Sequence, residues 1–175
     1  MHTHTDVTLK VDSSLVNSVS EWIDTVIDDA IVDTDSGEVS VSETYSIFEI
    51  DQVIDLVTAF FSKFGDVDLE INGFIDSSES AGEYQDFDGI FTNGHGTLKY
   101  SDWYVYFYPG DYDDMSDEEL EQELAYDLFY KVDVDEARRV FEEYKLDCHM
   151  DNKIIVQNGN GKLFDEVPLM NEWTI

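Results

Sequence analysis

One aspartate-rich turn is the part of the sequence whose spacing comes nearest to a metal-binding motif. Asp33 and Asp35 stand at the first and third positions of a calcium loop, in which carboxylate and carbonyl oxygens bind the ion. The glycine that such a loop needs at position six is Glu38 here, because Gly37 comes one place early. Glu43 falls at position eleven, one place before the usual bidentate carboxylate. We therefore interpret the segment as a polar turn and predict no metal site.

The sequence lacks the other signatures of catalysis that we searched for. Its four histidines and Cys148 show neither the paired-cysteine spacing of zinc sites nor an HExxH helix, and neither Asn-Gly turn has the lysine of a phosphate loop. There is no G-x-S-x-G turn for a nucleophilic serine. With 41 acidic residues, some carboxylate pair will stand at a catalytic distance by chance, so such pairs are uninformative. We predict that the protein is not an enzyme and uses no cofactor.

Acidic residues instead form long stretches that no basic residue interrupts. Between residues 111 and 127 nine acids occur without a lysine or arginine, and Glu119 and Glu123 stand one helical turn apart with no lysine four places on to offset them. A shorter acidic stripe follows one side of the first predicted helix. We predict that these acids form a partner-binding surface, with the members Asp111, Asp113, Asp114, Asp117, Glu118, Glu119, Glu121, Glu123, Asp127, Glu21, Asp24 and Asp28.

The acidity extends over the whole chain. Its 41 Asp and Glu residues against 9 Lys and Arg residues give a net charge of -32, and self-repulsion of that size destabilises a compact state. Duplex DNA carries one charge per roughly 1.7 Å of axis, so this charge equals that of about 54 Å of duplex. A compact chain of 175 residues has a radius of gyration near 16 Å, roughly, and its longest dimension is therefore comparable. The protein could present carboxylates where a nuclease or repressor expects phosphates.

In size, acidity and aromatic content the chain resembles the DNA-mimic inhibitors of phages and mobile elements, which include anti-restriction and anti-CRISPR proteins. The resemblance implies a basic nucleic-acid-binding partner, such as a restriction enzyme, a Cas effector, a nuclease or a nucleoid protein. It assigns no role to an individual residue, because no family motif is shared. We expect no direct binding of nucleic acid, and the sequence leaves homodimerisation open.

Two alternatives share the same charge. An immunity protein that neutralises a basic nuclease toxin would need similar electrostatics but would recognise one partner. A halophile protein of any function would also be acidic. Composition argues partly against a halophile, whose surface should be rich in alanine and poor in bulky residues. Here lysine outnumbers arginine seven to two, alanine occurs only five times and aromatic residues make up 14% of the chain.

Location is predicted from what the sequence lacks. A single cysteine rules out an intramolecular disulfide framework and fits a reducing compartment. The amino-terminal segment has neither the basic nor the apolar region of a secretion signal, and no apolar run approaches the roughly 18 to 20 residues of a membrane span. We expect a cytoplasmic protein without a membrane partner, in the host cytoplasm if a phage encodes it.

Hydrophobic periodicity predicts the elements that position the acids in the first half. A helix capped by Ser13 or Ser14 should run to about Val32, and a second helix capped by Asp51 should end before Gly65. Short β-rich segments surround both helices. They are residues 7–11, 39–50 and 67–71.

In the second half the Asn93-Gly94 pair predicts a hairpin whose second strand runs to Tyr108. Helices should begin at Asp117 and Val134, each with a capping box, before a second hairpin near residues 158–161. We predict a single α+β domain over residues 1–175, compact or two-lobed, with a candidate lobe boundary near residues 76–85. Its sheet should be mainly antiparallel, with about four helices.

Overall fold

The computed structural model describes residues 3–28, 31–35, 37–44, 46–77, 83–107, 116, 118–119, 154–157, 163–164 and 166–175. The chain divides into two compact units. The first, which we call the sheet unit, is formed by Met1–Glu79, Tyr84–Asp102 and Pro168–Ile175. The second, which we call the inserted unit, is formed by Ser80–Glu83 and Trp103–Val167.

The elements of the described residues are, in chain order, β1 Thr3–Lys10, α1 Val16–Val26, β2 Ile31–Asp35, β3 Glu38–Thr44, α2 Ile50–Phe64, β4 Leu69–Ser77, β5 Glu83–Thr92, β6 His95–Tyr100, β7 Tyr104–Phe107, β8 Ile154–Gln157, β9 Leu163–Phe164 and β10 Asn171–Thr174. In the inserted unit, β8 pairs antiparallel with both β7 and β9. All other elements belong to the sheet unit. Neither helix is long and apolar enough to cross a membrane.

The expectation of about four helices is wrong. The described residues hold two helices and ten strands, seven of which form the antiparallel sheet of the sheet unit, so they are mostly sheet. The predicted end of α1 at about Val32 is also wrong, because Ile31 and Val32 continue the apolar spacing of α1 without belonging to the helix. The helix in fact ends at Val26, because Ile27 takes an extended conformation, and the chain starts the edge strand β2 at Ile31. The helices predicted from Asp117 and Val134 lie outside the described residues, apart from residues 118 and 119, which are helical.

The sheet unit is built around β1, which pairs antiparallel with β3 on one side and β4 on the other. The strand order is β2-β3-β1-β4-β5-β6-β10. In the first four strands, α1 connects β1 to β2 and α2 connects β3 to β4, and each connection skips one strand. This split β-α-β arrangement is the ferredoxin-like topology. Right-handed connections in such a unit place both helices on one face of the sheet.

Ring contacts confirm that both helices cover the same face. Trp22 of α1 meets Phe60 and Phe64 of α2 edge to face, with ring centroids 6.0 and 5.5 Å apart. Phe61 of α2 lies 5.4 Å from Phe91 of β5. The strands direct a continuous buried apolar layer toward the helices. Its members are Val7, Leu9, Val39, Val41, Ile71, Ile75, Phe87, Phe91 and Leu98.

The opposite face of the sheet carries charged side chains, together with the exposed Ile90 of β5. Lys10, next to the buried Leu9, lies opposite Glu70, and its Nζ is 3.8 Å from the Glu70 carboxylate. Lys99 lies between Asp88 and Glu172 of the neighbouring strands. Period-two alternation therefore separates an apolar helix-covered face from a charged face.

The predicted end of α2 and the predicted Asn-Gly hairpin are confirmed. Gly65 ends α2 with a φ of +78°, and the hairpin turns at Asn93 and Gly94 with φ values of +50° and +79°. Only a residue that tolerates the left-handed region fits such positions cheaply. The turn is further held by hydrogen bonds from Asn93 N to Asp68 Oδ1 (2.9 Å) and from Gly94 N to Val67 O (3.0 Å).

The single strand predicted up to Tyr108 is wrong. It divides into β6 and β7 at Ser101, which is buried and leaves the ladder. The backbone N of Ser101 donates to Asp86 O (2.9 Å), while its hydroxyl accepts from Asp86 N (2.9 Å). Gln85 Nε2 donates to the Ser101 carbonyl (2.8 Å). These bonds stabilise the break that the β-rich composition of the segment concealed.

Candidate partner-binding surface

The acids predicted on the first helix lie on its exposed side and just beyond its end. Glu21 and Asp24 are exposed on α1, and Asp28 is exposed after the helix ends. The last turn of α1 contains no basic residue. Because the carboxyl end of a helix is its negative pole, Asp24 and Asp28 add to the local negative potential rather than offset it.

Of the nine acids predicted between residues 111 and 127, the structure describes Glu118 and Glu119, and both are exposed. Glu119 Oε2 accepts hydrogen bonds from Ser116 Oγ (2.7 Å) and Ser116 N (3.0 Å), which hold the pKa of the Glu119 carboxyl below its usual value. The other acids predicted in this segment lie outside the described residues. They are Asp111, Asp113, Asp114, Asp117, Glu121, Glu123 and Asp127.

A second acidic helix surface, not among the predicted site residues, lies on α2. Glu49, Asp51 and Asp55 are exposed at the start of α2. The signal was present, because residues 51 and 55 stand one turn apart and each precedes a core position, Val53 and Val57, by two places. Asp51 in the first turn and Lys63 in the last both suit the helix dipole.

The lysines of the sheet unit do not neutralise these helix surfaces. The segments of this unit contain 22 acids and three lysines, a net charge of -19. Lys10 and Lys99 lie on the sheet face opposite the helices, and Lys63 is in the last turn of α2. None of the three belongs to α1 or to the first two turns of α2. The exposed carboxylates at that end of the helix pair therefore form a strongly negative surface.

A groove of about 240 Å³ lies within this surface, between the end of α1 and the first half of α2. Val26, which lines the groove, is 45% exposed, and Phe48, which follows the lining residue Ile47 in the chain, is 48% exposed. Gln52 holds the loop before α2, because its Oε1 accepts from Phe48 N (2.8 Å) and its Nε2 donates to Ser46 O (2.9 Å). Ser46 Oγ in turn donates to Asp28 O (3.1 Å). The lining residues are Val26, Ile27, Ser46, Ile47, Gln52, Asp55, Leu56 and Ala59.

The segment that comes nearest to a calcium loop is part of a β-hairpin. Asp33 and Asp35 belong to β2 and lie opposite Ser40 and Glu38 of β3. Within the described part of the chain, no group of three or more His, Cys, Asp or Glu side chains is placed to hold a metal ion. Acids on an exposed edge strand also discourage pairing with strands of other molecules.

No protein-family model, no curated protein and no solved structure matches this chain. Functional evidence therefore comes from the surface itself, which combines exposed carboxylates with an apolar groove. Such a surface can bind cations by charge and apolar groups by burial.

Proposed function

We propose that this protein is an acidic inhibitor that acts as a DNA mimic and binds the basic nucleic-acid-binding surface of a target protein. The observation that carries the proposal is the exposed acidic surface of α1 and the start of α2, in a unit whose segments have a net charge of -19. The protein acts by binding alone, without catalysis or a cofactor. It does so in the cytoplasm in which its target meets DNA.

The physical basis is electrostatic steering toward a basic cleft. A surface of one sign raises the association rate with an oppositely charged partner, and the effect decreases steeply with ionic strength. Carboxylates that occupy phosphate positions also leave the cleft unavailable to DNA. Inhibition should therefore be competitive with duplex and salt-dependent.

The test is displacement of a fluorescent duplex from purified restriction enzymes, Cas effectors and nucleoid proteins. The duplex has about 16 base pairs, the length whose axial charge equals the net charge of the protein. We expect the protein to lower the anisotropy of the bound duplex, and to do so less as salt increases. A variant with Glu21→Gln, Asp24→Asn, Asp51→Asn and Asp55→Asn should displace less duplex than wild type. A control with Asp88→Asn and Glu172→Gln changes acids on the opposite sheet face. If the protein displaces duplex from none of these proteins, the proposal is contradicted.

One observation favours a second candidate, an immunity protein against a basic nuclease. The exposed Val26 in the groove lining and the exposed Phe48 in the loop before α2 offer apolar contacts that charge mimicry alone does not need. Recognition of one partner would make use of such contacts. The same displacement panel separates the two candidates, because a mimic displaces duplex from several unrelated proteins and an immunity protein from a single nuclease.

A further inference from the structure

The groove between α1 and α2 differs in chemistry from the acidic surface around it. Five of its lining residues are apolar, and Asp55 is the acidic residue in the lining. At about 240 Å³ it is smaller than the pockets of roughly 300 to 1,000 Å³ that hold small-molecule ligands. Its size suits one or two side chains of a partner protein.

The charges around the groove select its occupant. Asp24 and Asp28 lie at the carboxyl end of α1, and Asp51 and Asp55 stand one turn apart on α2. A second copy of this chain brings another net charge of -32, so repulsion opposes self-association through this surface. A segment rich in lysine and arginine is attracted to these carboxylates.

We propose that the groove takes one large aliphatic or aromatic side chain from a lysine- and arginine-rich segment of the partner protein. The basic residues of that segment lie over the acids of α1 and α2, while the apolar side chain enters between Val26 and Ala59. The inference rests on the proposed function and deepens it, because charge brings the partner and the groove selects among basic partners.

Two labelled peptides test the groove on the intact protein. Both are lysine- and arginine-rich and have the same charge, but one has a central leucine where the other has alanine. Partial burial of the leucine side chain should make the first peptide bind about tenfold more tightly. Fluorescence anisotropy measures both dissociation constants at low and at physiological salt. The ratio of the two dissociation constants should persist as salt weakens the binding of both peptides.

Three uncharged substitutions locate the effect. Ala59→Trp fills the groove from an exposed helix position, and Val26→Ser removes apolar lining. Each should bring the two peptides close to equal affinity while binding of the alanine peptide stays unchanged. Ile90→Ser is the matched control, because Ile90 is 63% exposed on β5 and points away from the helices. It should leave the preference for leucine intact.

The outcomes separate this inference from the proposed function. If neither peptide binds, recognition of basic partners fails and the inference fails with it. If both bind equally to wild type, the proposed function stands and the groove inference is overturned. A leucine preference that survives both Ala59→Trp and Val26→Ser also overturns it. The inference is likewise overturned if sedimentation velocity shows a dimer and Ala59→Trp dissociates that dimer, because the groove would then serve self-association.

Discussion

At the scale of single residues, a serine hydroxyl controls the ionisation of Asp12. Asp12 Oδ1 accepts hydrogen bonds from Ser14 Oγ (2.6 Å) and Ser14 N (2.9 Å), and the side-chain bond is the larger cause of a lowered pKa of the Asp12 carboxyl. We expect Ser14→Ala to raise this pKa toward the ordinary value, as measured by an NMR pH titration. Ser14→Thr keeps a hydroxyl and should keep the low pKa.

The lowered pKa also fixes the sign of the pH dependence. A carboxyl with a lower pKa in the folded than in the unfolded state stabilises the fold above its unfolded pKa and loses that effect as the pH falls through its folded pKa. Ser14→Ala should therefore reduce the part of acid destabilisation that Asp12 contributes. An unchanged Asp12 titration in Ser14→Ala would contradict the assignment.

The two helices offer a matched comparison of single charges. Asp24 lies in the last turn of α1 and Asp51 in the first turn of α2. Removal of either charge relieves the general repulsion of the chain, but only Asp51 is favoured by its helix dipole. Asp24→Asn should therefore yield a more stable protein than Asp51→Asn, by about 0.5 to 2 kcal/mol between the two variants. Urea denaturation measures both, and equal stabilities would exclude a dipole effect.

At the scale of elements, stability should depend on the layer between the helices and the sheet. Phe60 is fully buried and contacts Trp22, Phe61 and Phe64. Phe60→Ala should lower the free energy of unfolding by about 3 to 5 kcal/mol, because it removes apolar contacts and leaves a cavity. Phe48→Ala should cost much less, since Phe48 is 48% exposed. Similar losses in urea denaturation of the two variants would contradict this packing.

Elements with two agreeing signals could be predicted from the sequence. In α2 the apolar stripe and Gly65 agreed, and in the hairpin the Asn93-Gly94 pair stood between two β-rich runs. Where one signal misled, the prediction failed: Ile31 continued the spacing of α1 but starts an edge strand, whose pairing with β3 is a tertiary property. The break at Ser101 likewise depends on hydrogen bonds with Asp86 that no local pattern encodes.

The candidate site was predictable in its charge and not in its shape. Composition and helical spacing located Glu21, Asp24 and Asp28. The contribution of Asp55 and the groove beside Val26 depends on how α1 and α2 pack, which follows from the split β-α-β topology. Periodicity assigns a residue to a helix face, but it does not say which other helix lies next to that face.

At the scale of the whole molecule, salt should have opposite effects on folding and on binding. Screening of the net charge of -32 should raise the free energy of unfolding, while it weakens attraction to a basic partner. Urea denaturation and anisotropy over the same salt series measure the two slopes. Circular dichroism in dilute buffer gives the control, because a protein adapted to high salt would unfold there. A protein that folds only in molar salt would contradict the inhibitor proposal.

The discontinuous path of the sheet unit has a consequence for folding kinetics. Residues 103–167 intervene between β6 and its partner β10, and contacts that distant in sequence form slowly. Trp22 lies between the helices, whereas Trp173 lies on β10 with its ring 6.5 Å from that of Phe91. Each is therefore an intrinsic fluorophore for a different stage of assembly. In stopped-flow refolding of single-tryptophan variants, the Trp22 signal should change before the Trp173 signal, as β10 joins a sheet already formed.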